Sequence, residues 1–122
     1  MLEVPGLNSH EPELVGDLLA GGWRTLDFEP FRPGVEVHWL RRTVTGGASA
    51  ALLRYEPGAA VPMHEHPGFE LALVLDGAQE DDSRSYPAGT LAVQAPGTRH
   101  RVSSRRGCVV LLFWEHPVRI LE

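Results

Sequence analysis

The apolar positions of this chain change their period at Trp23. From there on, short apolar or alternating runs recur: VEVHWLRR (35–42), SAALLRYE (49–56), ELALVL (70–75), TLAVQA (90–95), HRVSS (100–104) and CVVLLFW (108–114). All are rich in β-formers and most are bounded by Pro, Gly or Asp, so they predict strands. Their close spacing suits a sandwich or barrel rather than strands alternating with helices. ALLRYEPGAAVP and SYPAGTLAVQAPG look like two versions of one unit, an apolar strand running into a Pro/Gly turn. The expectation is an all-β protein, a double Greek-key barrel or jelly roll. Residues 1–22 read differently. Ser9 can cap a short helix over 11–20, with Pro12 in its first turn and Gly21-Gly22 as its stop, although Gly16 opposes it. We therefore expect an N-terminal extension over 1–22 and a single domain over 23–122.

Composition narrows the function more than the fold. A chain of 122 residues is one domain with a real core. Its net charge of −5 and pI near 5.6 oppose a nucleic-acid partner, which needs a basic stripe. No stretch has the length of a membrane span, and the N-terminus lacks the basic and apolar regions of a signal peptide. The lone Cys108 cannot form an internal disulfide, and at the start of an apolar strand it reads as a buried thiol. A cytoplasmic protein is expected.

The chemistry concentrates in MHEHPGFELALVLDG, residues 63–77. In a strand, residues i and i+2 share a face about 6.5–7 Å apart, so His64 and His66 point together and Glu65 away. Metal–nitrogen bonds of about 2.0–2.1 Å let such a pair converge on one ion. Glu70 follows the Pro67-Gly68 kink, and its carboxylate can return to the same place from the next strand. On their own, two histidines spaced this way are usually just solvated. PGTRH (96–100) changes the balance: a second turn ends a strand and delivers His100 to the start of the next. Three imidazoles and one carboxylate suit a single divalent ion such as Fe(II), Zn(II), Mn(II), Ni(II) or Cu(II).

These residues resemble the cupins. The first cupin motif is a Gly, five residues, H-x-H, three or four residues, Glu, six residues and Gly. Gly58, His64, His66, Glu70 and Gly77 fit every interval, and Pro96, Gly97 and His100 match the end of the second motif. The Asn expected four residues after that histidine is Ser104 here. Across residues 23–114, PGVEVHWLRR, LLRYEPGAAVPMHEHPGFE, YPAG and PGTRH are similar to the ChrR-type cupin domain. That group includes the C-terminal domain of certain anti-sigma factors, with acetylacetone-cleaving dioxygenases nearby. The resemblance implies a cupin β-barrel (a double-stranded β-helix) with His64, His66, Glu70 and His100 as metal ligands. It also implies a homodimer.

Two functions follow from that resemblance. One is an iron-dependent dioxygenase-like enzyme acting on a small enolisable or chelating substrate. The other is a zinc-bearing regulatory or sensor module. Residues 1–22 contain no Cys and are too few for the zinc-binding helical domain of the anti-sigma factors, so direct inhibition of a sigma factor is not expected. Arg54, Met63, Phe69 and Trp114 are candidates for the substrate pocket. Of Arg54 and Tyr55, neighbours on one strand, one must face inward. His38, Trp39, Trp114, Glu115 and His116 are candidates for the barrel mouth or a dimer contact. The acidic run QEDDSR (79–84) reads as a solvated hairpin tip.

Overall fold

The computed structural model describes residues 11–122. Ten strands run in the order β1 (Glu29–Arg32), β2 (Val35–Arg41), β3 (Ser49–Tyr55), β4 (Ala59–Glu65), β5 (Glu70–Asp81), β6 (Ser85–Pro87), β7 (Leu91–Gln94), β8 (Arg99–Ser104), β9 (Cys108–Trp114) and β10 (Arg119–Ile120). Every pairing is antiparallel. One sheet has the order β1-β2-β3-β9-β5-β7. The second joins the far half of β5 to β6 on one side and to β8, β4 and β10 on the other. β5 thus belongs to both sheets and folds one over the other, which makes the barrel that the strand pattern anticipates.

Between the sheets lies a core built from alternate residues: Val35 and Val37, Ala51, Leu53 and Tyr55, Ala72 and Val74, and Val110, Leu112 and Trp114. The outer face of the first sheet is also covered. Trp23, Leu26 and Phe28 pack there on Leu52, Leu75 and Val109. Burial on both faces explains why β9 reads as an unbroken apolar run rather than an alternation.

The helix expected over 11–20 does not form. Residues 12–16 are irregular, and only two short 3-10 turns follow, at Leu18–Ala20 and Gly22–Thr25. Asp17 takes a left-handed φ of 49°, which breaks a helix, and Leu14 is exposed, so there is no apolar face to hold one. The Ser9 cap lies outside the described residues.

Two bulges set which side chains face inward. Along β4, Val61 pairs with Val102 but His64 pairs with His100, so an extra residue is inserted around Pro62-Met63. Inward-facing positions therefore switch from Ala59 and Val61 to His64 and His66. A strand proline is tolerated at such a bulge. In β5 the register shifts between Val74 and Asp76, and inward positions pass from Glu70, Ala72 and Val74 to Gln79. Gly77 follows that shift with φ 70°, and a Cβ there would lie 2.1 Å from the carbonyl oxygen of Gly107. Only glycine lets β5 pass the β8–β9 turn while it changes sheets.

Candidate metal centre

His64 and His66 reach the barrel interior from the end of β4 and the residue just after it, and His100 comes from β8 beside them. One ring nitrogen from each lies within 4.8 Å of the other two. The rings stand nearly perpendicular, with centroids 4.6–5.2 Å apart. His64 and His66 are 4% and 1% exposed, so water solvates neither.

Hydrogen bonds fix the tautomers. His64 Nδ1 donates to the Pro62 carbonyl at 2.8 Å, leaving the Nε2 lone pair free. His66 Nδ1 lies 3.0 Å from Thr98 Oγ1 and 3.2 Å from the Thr98 carbonyl. The Thr98 hydroxyl donates its own proton to the Ala95 carbonyl at 2.6 Å, so it can only accept from the ring. His66 therefore carries its proton on Nδ1, and its buried Nε2 has no hydrogen-bond partner among the described residues. An unsatisfied buried nitrogen is costly unless something binds it. A metal ion is the partner that three converging lone pairs fit, with the outer nitrogens held by oxygen acceptors.

Burial lowers the pKa of His64 and lowers that of His100 to about 4, the other imidazoles adding to the second effect. Both rings are neutral at physiological pH, the form that binds metal. Glu70 is buried at the start of β5, its Oε2 3.5 Å from His66 Nε2. It borders the histidine cluster but is not among the three groups that converge tightly.

The acidic run is more than a hairpin tip. β5 continues to Asp81, and the turn occupies Asp82–Arg84. Asp81 Oδ1 accepts hydrogen bonds from the backbone N–H groups of Ser83 and Arg84. Its Oδ2 accepts the Tyr86 hydroxyl and faces His100 Nδ1 at 3.9 Å. Burial alone would raise the Asp81 carboxyl, but these hydrogen bonds outweigh it and hold the pKa below the usual range. A carboxylate beside Nδ1 favours the proton on that nitrogen and completes the tautomer pattern. Sequence reasoning missed Asp81 because the β5 bulge is not visible in the residue order.

Beside the histidines is a cavity of ≈ 480 Å³, lined by Phe31, Trp39, Tyr55, Trp114 and other apolar residues and bordered by His64, Glu70 and His100. Trp114 is therefore in the pocket, and Trp39 joins it. Arg54 is not: it points outward, pairs with Glu36 at 2.7 Å and lies over the Phe28 ring. Its neighbour Tyr55 is the inward residue, because β3 packs its odd-numbered positions into the core. Met63 and Phe69 do not line the cavity either. Met63 belongs to the β4 bulge, and Phe69 packs on Phe113, on the outer face of the first sheet. His38, Glu115 and His116 hydrogen-bond to the backbone of Asp27, Phe69 and Gly46. Cys108 is buried, and burial pushes its thiol up to about 11.

The family model described as "ChrR Cupin-like domain" matches residues 20–118. Anti-sigma-E factor ChrR of Cereibacter sphaeroides is 38% identical over 78 residues, covering 62% of this chain and 37% of that protein. This chain thus spans just over a third of that relative's length. The crystal structure of Rhodobacter sphaeroides SigE in complex with the anti-sigma ChrR matches with a TM-score of 0.67 and 31% identity, over 80% of this chain and 54% of that one. The acetylacetone dioxygenase of Acinetobacter johnsonii matches with a TM-score of 0.71 at 14% identity, over 78% of this chain and 72% of that one, a likeness of fold.

Proposed function

Since this chain belongs to the ChrR cupin-like family, we propose that its domain over residues 23–122 is a metal-dependent, dioxygenase-like enzyme acting on a small enolisable or chelating substrate. His64, His66 and His100 hold one divalent ion, and Glu70 completes the set as a fourth ligand. When bound, such an ion supplies Lewis acidity toward the substrate's oxygens, and iron adds the capacity for dioxygen chemistry.

The observation that carries the enzyme reading is the cavity. Its ≈ 480 Å³ falls in the range of small-molecule sites, and it opens beside the histidines. Phe31, Trp39, Leu53, Leu112 and Trp114 give it apolar walls. Inside, Gln79 Nε2 donates to the Tyr55 oxygen at 3.4 Å, which leaves the phenol O–H to donate to a ligand. Burial, aided by the neighbouring Cys108 and Glu70, raises Tyr55 well above the ordinary tyrosine range, so it remains a proton donor at neutral pH. A hydrogen bond from Tyr55 would orient a substrate oxygen and stabilise negative charge developing on it.

The likeness to the cupin part of an anti-sigma factor supports a second reading, a zinc-bearing regulatory module acting through another protein. Metal content separates the two. Protein purified anaerobically without chelator is analysed by mass spectrometry beside a His64→Ala/His100→Ala variant. Near-stoichiometric iron, lost in the variant, supports the enzyme and leads to an oxygen-uptake screen with diketones and 2-oxo acids. Zinc instead favours the regulatory module. Absence of metal from both proteins after reconstitution rejects both readings.

A further inference from the structure

Arg32 closes the β1 strand where the chain turns through Pro33-Gly34. Its side chain lines the cavity, with the guanidinium stacked over Phe31 at 5.0 Å. Arg54, Arg99, Arg101 and Arg119 each have a carboxylate partner on the outer surface. Arg24, Arg84, Arg105 and Arg106 are exposed, and so is Arg42, which also borders the cavity with its guanidinium over the Trp39 ring at 4.7 Å. Arg32 is half-buried, lines the cavity and forms no ion pair among the described residues. A guanidinium withdrawn from water without a counter-ion offers a fork of donors matched to a carboxylate.

The rest of the cavity fits that assignment. Phe31, Trp39 and Trp114 form a connected aromatic wall, with centroids 5.7 and 6.0 Å apart. Arg32 lines the same cavity as Tyr55, His64 and His100. The guanidinium and the histidine cluster therefore act within one chamber.

We propose that the cavity takes a small carboxylate-bearing ligand. Its anionic group is gripped by Arg32, its apolar body lies on Phe31, Trp39 and Trp114, and its chelating oxygens turn toward the histidines. Only the chelating end rests on the metal-centre reading above; the Arg32 grip stands without it.

The test compares benzoylformate, a 2-oxo acid that cannot enolise, with its uncharged methyl ester. Binding to wild type and to Arg32→Gln and Arg32→Lys variants is followed by tryptophan fluorescence and isothermal titration. Metal content and thermal midpoint are recorded on the same samples. Wild type is expected to bind the acid about ten- to a hundred-fold more tightly than the ester, the scale of a charge-assisted bidentate contact. Arg32→Gln should erase most of that preference at unchanged metal content and midpoint, and Arg32→Lys should keep part of it. Measuring metal-free protein as well separates attraction to Arg32 from attraction to the ion. If no metal binds, the metal reading falls while the acid-over-ester preference still reports on Arg32. Equal binding of acid and ester, a preference that survives in Arg32→Gln, or no saturable binding of the acid at millimolar concentration overturns the proposal.

Discussion

Thr98→Val changes the centre without touching a residue that would hold the ion. The side chain keeps its volume and loses its hydroxyl, which holds His66 Nδ1 at 3.0 Å and is itself oriented by Ala95. The Thr98 carbonyl remains as an acceptor at 3.2 Å, but it already receives the His66 backbone N–H at 2.9 Å. His66 is left with a weaker, shared partner, and its tautomer is no longer enforced. Removing a contact that orients a metal-ligating histidine typically costs 10- to 100-fold in affinity, and the surviving carbonyl puts this case near the lower end, about tenfold. The lost hydrogen bonds should cost about 1 kcal/mol in the stability of metal-free protein. Competition with a chromogenic chelator near neutral pH measures the first quantity, and thermal melting after chelation the second. Thr98→Ser keeps the hydroxyl and should stay within about twofold of wild type, since only a methyl group is lost. A Val variant whose affinity matches wild type would refute the tautomer argument. An equal loss in both variants would assign the effect to the Pro96-Gly97 turn instead.

Metal-free protein should lose stability as pH falls from about 6.5, where an unfolded His100 begins to protonate, to about 4, its value in the fold. In that window the unfolded chain binds more protons, so the sign is destabilising on acidification. The loss is at most about 3 kcal/mol, reduced by solvent screening of the half-buried ring, and His100→Asn should flatten the profile of midpoint against pH. Gly77→Ala should destabilise by more than about 3 kcal/mol, combining left-handed strain with backbone overlap. Gly89→Ala, at φ 89° with nothing within 4 Å of the added Cβ, should cost only about 1–2 kcal/mol in chemical denaturation. Similar losses in the two alanine variants would show that β5 can cross between sheets without close contact at Gly77.

Much of this protein could be read from residue order, because some of its constraints are local. Strand pairs bounded by Gly and Pro announce an all-β barrel, and β2, β3, β7, β8 and β9 fall where the apolar runs lie. The spacing of His64, His66 and His100 with their turns marks the centre, since i and i+2 share a face whatever surrounds the strand. Local order could not say which face that was. The extra residue near Pro62-Met63 and the shift after Val74 each reverse the inward parity of a strand, and both are defined only by a partner strand's register. For that reason Asp81 was hidden in an apparent surface turn. Residue order offers Arg54 as a candidate for the pocket and gives no sign of Arg32. A side chain's face follows from local geometry until a bulge intervenes. Its neighbours, and whether a charge finds a counter-ion, are set by the closure of one sheet over the other.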